Sequence, residues 1–153
     1  MTGSLFFIDS RLCTWRDKVN IEKFWEAVLK QDADAIRMYF RPDAYVNWHN
    51  TNEHFTLEEY IRANCEYPGE WDGGVERIVL SGDEIVTATH VCSKDGSVSV
   101  HATSFIRIER DRIVSIDEYW GDDGEVPQWR KEMHIGSKIK EQKPASEQFE
   151  KRI

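Results

Sequence analysis

Hydrophobic positions in the first third of the chain recur with helical spacing. Between Val19 and Phe40 the apolar residues fall three or four positions apart in two sets, which are Ile21, Phe24, Trp25, Val28 and Leu29, then Ile36, Tyr39 and Phe40. The polar stretch KQDADA separates the two sets. The pattern therefore predicts a pair of helices, with Asp32 or Asp34 capping the second.

A strand and a third helix are predicted next. Pro42 ends the helical pattern, and AYVNW at residues 44–48 is typical of a short strand. Thr56 and Glu59 then form the spacing of a capping box, followed by apolar residues that again keep helical spacing. We expect a helix to begin directly after Thr56.

From residue 75 to residue 121 the period changes to that of strands. Runs rich in Val, Ile and Thr are separated by three turn signals, Gly82-Asp83, Asp95-Gly96 and Asp111-Arg112. This predicts a four-stranded antiparallel meander. Helices that precede such a sheet indicate an α+β fold, in which three N-terminal helices pack on a strongly curved, mainly antiparallel sheet and enclose an internal pocket.

The turn signals also predict which residues face each other across the sheet. A two-residue turn at Asp95-Gly96 places His90 opposite His101, with Cβ atoms about 5 Å apart. A turn at Arg110-Asp111 places Thr103 opposite Glu118 by the same counting. These two registers predict four side chains on one face, namely His90, His101, Glu118 and Trp120. The prediction is sensitive to register, because a slip of one residue moves a whole strand to the other face.

Apolar residues occur on both faces of these strands. On the strand of His101 the apolar side is the opposite one, whereas on the last strand Val114, Ile116 and Trp120 accompany Glu118. Both faces are therefore expected to be covered, one by the helices and the pocket, the other by a second subunit. The sequence thus predicts a homodimer through the outer face of the sheet.

Composition and charge narrow the classes of function. The 153 residues are enough for one domain, predicted over residues 19–136 between an N-terminal extension (1–18) and a polar tail (137–153). A net charge of −8 disfavours nucleic-acid binding. No apolar run approaches the roughly 20 residues of a membrane span, and no signal peptide is evident, so we expect a cytoplasmic protein without membrane contact. Three cysteines without CxxC spacing favour neither a disulfide framework nor a zinc ribbon.

The order of these elements resembles a known superfamily. A helix pair, the strand RPDAYVNW, a capped helix and a meander that ends in RIVSIDEYWG are similar to the nuclear transport factor 2-like superfamily. Its members include ketosteroid isomerases, SnoaL-like polyketide cyclases and scytalone dehydratase. The resemblance implies a cone-shaped fold whose cavity is lined by alternate residues up to the last tryptophan, which supports an inward position for Glu118 and Trp120.

The isomerase residues of that superfamily do not carry over. The oxyanion tyrosine falls on Phe24, the general-base aspartate on Trp48, and the protonated aspartate on His101. Phe24 has no hydroxyl and Trp48 cannot accept a proton, whereas His101 could still donate a hydrogen bond. The paired histidines are instead similar to those of scytalone dehydratase.

The candidate chemistry is general acid–base catalysis by His90, His101 and Glu118. Imidazole exchanges protons near neutrality, and a neighbouring carboxylate orients and tunes it. A structural cross-strand pair is the alternative interpretation of the two histidines. Two histidines and one glutamate also have the composition of an iron site, but the spacing is not that of a metal motif, so we expect neither a metal nor a cofactor. The expected ligand-binding residues are Trp25, Trp48, Tyr60, Asn64, Cys92, Thr103, Phe105 and Trp120.

Two classes of function remain open at this point. The first is a cofactor-independent isomerase, lyase or cyclase that acts on a small hydrophobic, oxygenated molecule. The second is a ligand-binding or dimeric scaffold domain that holds a molecule without converting it. The first class predicts a pH response in turnover, whereas the second predicts retention of a ligand without turnover.

Overall fold

The computed structural model describes residues 19–139, which form four helices and six strands. The helices are α1 (Ile21–Leu29), α2 (Ala33–Met38), α3 (Leu57–Cys65) and α4 (Gln128–Glu132). The strands are β1 (Phe40–Trp48), β2 (Glu53–Thr56), β3 (Trp71–Ser81), β4 (Glu84–Ser93), β5 (Ser99–Glu109) and β6 (Arg112–Asp122). The α+β class is confirmed. The predicted N-terminal extension and the chain from residue 140 onwards lie outside the described residues.

The helices begin where side chains satisfy their first backbone N–H groups. Asn20 accepts a hydrogen bond from the backbone of Lys23 at the start of α1. Asp32, one of the two predicted caps, does the same for α2. The capping box of Thr56 and Glu59 is complete at the start of α3. These caps confirm the starts predicted for α2 and α3.

The six strands form one open, mixed sheet in the order β2-β1-β6-β5-β4-β3. The predicted antiparallel meander is confirmed as β3 to β6. Two features were not predicted. Strand β2 lies between the predicted strand at residues 44–48 and the predicted helix after Thr56, and β1 pairs with β6 in the parallel direction. The strong curvature predicted for the sheet stays a prediction.

The hydrophobic core lies between one face of the sheet and helices α1 and α3. Burial alternates strictly along β4 and β5, and the inward positions include Ile85, Thr87, Val91, Ala102, Ser104 and Ile106. The aromatic rings of Phe24, Phe40 and Tyr60 pack edge to face there, with neighbouring centroids 5.7 Å apart. The cavity described below opens on this inner face of the sheet.

A β-bulge in β6 overturns part of the predicted register. Glu109 faces Arg112 as expected, across a turn in which Arg110 and Asp111 both have positive φ. Between Arg107 and Ile108 the register then shifts, because β6 contains one extra residue. Glu118 therefore faces Ser104 instead of Thr103, and His101 faces Gly121 instead of Trp120. The prediction that the two histidines share a face with Glu118 and Trp120 is wrong.

The chain divides into two compact units between Asp123 and Gly124. In the second unit, α4 carries Trp129, which is exposed and lies against the Arg130 guanidinium. Lys131 pairs with Glu125 at 3.0 Å in the same unit. No helix among residues 19–139 is long and apolar enough to cross a membrane. The predicted domain limits at residues 19 and 136 stay predictions.

Candidate ligand-binding pocket

A cavity of about 250 Å³ opens on the inner side of the sheet. Four tryptophans from four different elements contribute to its wall, and they are Trp25 of α1, Trp48 of β1, Trp71 of β3 and Trp120 of β6. Aliphatic side chains line much of the remainder, among them Val28, Leu29, Val91, Val98 and Val100. The wall is therefore mainly aromatic and aliphatic, as is usual for sites that bind small molecules.

Three of the four indole rings are held by hydrogen bonds to buried side chains. Trp48 and Trp120 each donate their Nε1–H to the same carboxylate oxygen of Glu118, at 2.7 and 3.3 Å. Trp25 donates its Nε1–H to the hydroxyl of Thr87 at 3.3 Å. Because each indole has a single polar group, these bonds fix the rings with their carbon surface towards the cavity.

Glu118 is a fully buried carboxyl group behind this aromatic wall. Its second oxygen accepts a hydrogen bond from the Ser104 hydroxyl at 3.2 Å. Burial raises the pKa of Glu118 from 4.5 to about 7, although the hydrogen bonds from Trp48, Ser104 and Trp120 act in the opposite direction. At neutral pH this group is therefore present in both protonation states, as a general acid or base requires.

Tyr60 lies in a second layer behind Trp48, with ring centroids 6.5 Å apart. It is also buried, and burial followed by the nearby charge of Glu118 holds the pKa of its hydroxyl well above the usual range. Asn64, one turn further along α3, lines the cavity and donates to the backbone carbonyl of Tyr60 at 2.8 Å. Tyr60 therefore remains a neutral phenol that supports the wall.

Polar side chains brace the exposed rim of the cavity. Gln31 has a positive φ of 54°, and its amide donates to the backbone carbonyls of Asn64 and Tyr67 at 2.7 and 2.8 Å. Asn50 accepts from the backbone N–H of Trp120 at 2.6 Å and donates to its carbonyl oxygen. These bonds tie the chain before α2 to the end of α3, and the loop after β1 to β6. Sequence reasoning missed Gln31, since nothing in KQDADA signals a left-handed residue.

The predicted ligand-binding residues separate into three groups. Trp25, Trp48, Asn64 and Trp120 line the cavity, and Tyr60 supports it from behind. The remaining three, which are Cys92, Thr103 and Phe105, lie on the opposite face of the sheet. Their inward placement was wrong, because alternation along β4 and β5 turns Ser93, Ala102 and Ser104 inward instead.

His90 and His101 face each other as predicted, but on the outer face. Their rings stack with centroids 4.8 Å apart. His90 bonds to Ser99 at 2.9 Å, while His101 contacts Asp123 and, at 3.3 Å, Glu76. The bond to Asp123 raises the pKa of His101. The predicted acid–base cluster is therefore divided, with the imidazoles outside and Glu118 inside.

A metal is not favoured by the geometry of either face. Within residues 19–139, no three His, Cys, Asp or Glu side chains are arranged to hold a metal ion. On the inner face Trp48, Ser104 and Trp120 all donate hydrogen bonds to Glu118. Their partly positive hydrogens would repel a cation at this carboxyl group.

The sequence profile of the SnoaL-like domain family matches residues 21–116, well over half of the chain. The chain belongs to the SnoaL-like domain family. The matched residues include α1 to α3 and most of the sheet. No curated protein is significantly similar in sequence to this SnoaL-like domain.

Solved structures with low sequence identity share the fold. A Kribbella flavida protein assigned as a ketosteroid isomerase superposes with a TM-score of 0.63 at 19% identity, covering 76% of this chain and 84% of that one. A nuclear transport factor 2-like protein of unknown function from Burkholderia xenovorans gives 0.61 at 20%, covering 76% and 89%. An LEH-like epoxide hydrolase of M. tuberculosis gives 0.54 at 14%, covering 64% and 77%. The SnoaL-like domain thus has a nuclear transport factor 2-like fold.

Together these contacts limit what the cavity of the SnoaL-like domain can do. Its walls can bury a planar apolar molecule, and its polar rim can accept or donate a few hydrogen bonds. Among the described wall residues, Tyr67 is the one titratable side chain, and it is 53% exposed. Glu118, the buried carboxyl with a raised pKa, lies behind Trp48 and Trp120 and does not itself line the cavity.

Proposed function

We propose that this SnoaL-like domain binds a small, mainly apolar molecule with one or two rings. The observation that carries the proposal is the wall of four tryptophans, three of which have their only polar group bonded to the protein. Such a wall offers a ligand flat hydrocarbon surface, and aromatic contacts of this kind stabilise a bound ring beyond the burial of its area.

The size of the cavity sets the size of the ligand. Its volume of about 250 Å³ lies just below the range of roughly 300 to 1,000 Å³ that drug-sized ligands occupy. An apolar protein cavity of about 150 Å³ is enough to bind benzene. A bicyclic aromatic compound therefore fits the available space, whereas a larger ligand requires the rim to open.

Binding is tested with 2-methylnaphthalene and intrinsic tryptophan fluorescence. We expect saturable quenching, because four of the six tryptophans line the cavity. Ala63→Leu adds a larger side chain to the cavity wall and should weaken binding at least tenfold. Arg62→Leu, at the neighbouring exposed position of the same helix, is the matched control and should bind like the wild type. Equal affinity in both variants would locate the ligand elsewhere.

A second candidate function is proton transfer on the bound molecule by Glu118. It is favoured by one observation, a fully buried carboxyl with a pKa of about 7 directly behind two wall residues. Once Trp48 or Trp120 turns aside so that a ligand reaches it, the carboxylate removes a proton α to a ligand carbonyl, leaving an enolate, and the same group then returns the proton. Fold relatives assigned as a ketosteroid isomerase and an epoxide hydrolase support an enzymatic role without identifying the reaction.

Proton transfer is tested by hydrogen–deuterium exchange at the α-carbons of 2-tetralone in D₂O, followed by NMR. We expect exchange to be faster than in buffer, to increase as Glu118 ionises near pH 7, and to fall to the buffer rate in Glu118→Gln. Glu53→Gln, an exposed carboxyl on β2, is the control. Binding of the ketone without accelerated exchange would leave a binding protein and eliminate the catalytic proposal.

The outer face is proposed to pair with a second copy of the chain. It exposes Phe105 and Tyr119, and it carries opposite charges at its two ends, Arg107 at one and Asp123 at the other. In the proposed dimer, a two-fold axis lies between the two sheets, perpendicular to β5 and level with Thr103. The β5 strands of the two copies then run in opposite directions. The axis also brings each Arg107 opposite Ser99 and Asp123 of the other copy.

This arrangement is tested by sedimentation equilibrium. The wild type should be a dimer, and Phe105→Glu should be a monomer because it places charge at the centre of the contact. Met38→Glu, which changes an apolar residue that is 74% exposed on α2, is the control and should remain dimeric. A monomeric wild type would exclude the pairing.

A further inference from the structure

The inner face of the sheet carries a small group of buried hydroxyls beside the cavity. Thr87, Thr89 and Ser104 are all 0% exposed. Thr87 accepts the Nε1–H of Trp25, and Ser104 donates to Glu118. The hydroxyl of Thr89, in contrast, has no hydrogen-bond partner among the described residues. Since buried hydroxyls are almost always paired, this one requires an explanation.

Thr89 lies between residues that form the cavity wall. On its own strand, the next inward residue is Val91, which lines the cavity. Across the sheet Thr89 faces Ala102, and Ala102 faces Trp120, which lines the cavity as well. Because Ala102 has only a methyl group, the row from Thr89 to Trp120 contains one small side chain between two larger ones. Thr89 itself is not among the residues that line the cavity, so a ligand reaches its hydroxyl only if the cavity extends past Val91 or Ala102.

Glu118 lies one residue pair further along the same face. Thr87 faces Ser104, and Ser104 faces Glu118. The hydroxyl of Thr89 is therefore next to a buried polar row, whereas Val91, Val98 and Val100 separate it from the exposed rim. The polar groups at the buried end of the site are thus separate from those of the rim.

We propose that the ligand carries an oxygen, as a hydroxyl or a carbonyl group, at its buried end, and that Thr89 is the residue that binds it. This inference rests on the proposed function of the cavity and defines the class of ligand more closely. The threonine hydroxyl can both donate and accept, so it suits either group. The rings of the ligand then lie between the tryptophans, and the end opposite the oxygen points towards the rim.

The inference is tested with two probes of nearly the same shape, 2-naphthol and 2-methylnaphthalene. The wild type should prefer 2-naphthol, whereas Thr89→Val, which replaces the hydroxyl by a methyl group, should lose that preference. We expect the ratio of the two dissociation constants to change about tenfold, equivalent to about 1.4 kcal/mol. Thr103→Val, on the outer face of β5, is the matched control and should keep the ratio of the wild type.

The unliganded protein gives an independent measurement. Removing an unpaired buried hydroxyl with an isosteric side chain should raise the melting temperature, so Thr89→Val should be more stable than the wild type. Lower stability would mean that the hydroxyl is already satisfied, and it would overturn the inference. Equal preference for 2-naphthol in the wild type and Thr89→Val overturns the inference alone, while failure of both probes to bind overturns the proposed function together with it.

Discussion

Replacing Glu118 by glutamine tests the central feature of the site, a carboxyl group removed from water. Glutamine has the same shape and keeps an oxygen that can accept from Trp48 and Trp120, while its amide nitrogen can donate to Ser104. The substitution therefore removes the ionisable group and retains the hydrogen-bond network. A rise of the pKa from 4.5 to about 7 corresponds to about 3 kcal/mol in the free energy of unfolding.

The direction of the effect depends on pH. Below pH 4.5 the carboxyl is protonated in both the folded and the unfolded chain, so it imposes no penalty on folding. Between pH 4.5 and about 7 the unfolded chain loses the proton while the folded protein keeps it, so stability falls as pH rises. Above about pH 7 the full penalty is present. Glu118→Gln should therefore match the wild type near pH 4 and exceed its stability by up to about 3 kcal/mol near pH 8.

Urea unfolding, followed by tryptophan fluorescence at a series of pH values, measures this difference. The other groups with shifted pKa values do not produce the same pH-dependent difference in stability. The pKa of Asp95 is held at about 2 by the hydrogen bonds it accepts from Ser97 and Ser93, so its stabilising contribution is lost only in acid. The raised pKa of His101 acts in the same direction as that of Glu118, but it is common to both proteins and cancels in the difference. Glu53→Gln, at an exposed position, is the control for loss of one negative charge.

A difference between Glu118→Gln and the wild type that stays constant between about pH 5 and about pH 8 would refute this reasoning. It would mean that water or a counter-ion reaches the carboxyl in solution. The proposal of proton transfer near neutrality would then lose its physical basis, whereas binding of an apolar ligand would remain untouched.

Three further substitutions test the contacts around the site. Trp48→Phe removes the 2.7 Å bond to Glu118 and should raise the pKa of that carboxyl further in an NMR titration, whereas Trp71→Phe, which lines the cavity without such a bond, should not. Thr56→Ala removes the cap of α3 and should lower the free energy of unfolding in urea by about 1 kcal/mol. Gly73→Ala places a Cβ 2.0 Å from the carbonyl oxygen of His90 at a φ of +135° and should cost more than about 2 kcal/mol, while Gly74→Ala, with open space around it, should be tolerated.

Local signals in the sequence predicted the elements well because the physics of those elements is local. The cap at Asp32 and the capping box at Thr56 depend on residues three positions apart, and the pairing of His90 with His101 depends on one tight turn. The parallel pairing of β1 with β6 joins segments about 70 residues apart, and no nearby residue encodes it. Such a contact is decided by the whole fold.

The bulge in β6 is the reason why the predicted grouping of His90 and His101 with Glu118 and Trp120 is wrong. The turn at Arg110-Asp111 sets the register correctly for Ile108 and Ile113, but Arg107 then faces Ser115, so Val114 is the additional residue. A signal was present in the sequence. The run IVSI at residues 113–116 has apolar residues at adjacent positions, and all four residues are buried without alternation, as the extra residue of a bulge allows. Alternation alone could not reveal it, because β6 has apolar residues on both faces.

The extra residue of β6, Val114, also limits the chemistry available inside the cavity. With the histidines outside, Glu118 is the one strongly perturbed acid–base group behind the described walls, apart from Tyr60, which stays neutral. One carboxyl can remove a proton and return it to the same molecule, as in proton exchange or the shift of a double bond. Elimination of a poor leaving group requires a second, separate acid. Within the proposed function, proton exchange or the shift of a double bond is therefore the reaction that one carboxyl can complete, and this connects the two proposals. Under the two proposals, a carbonyl oxygen bound at Thr89 would be the group that makes a neighbouring C–H acidic enough for Glu118 to remove its proton.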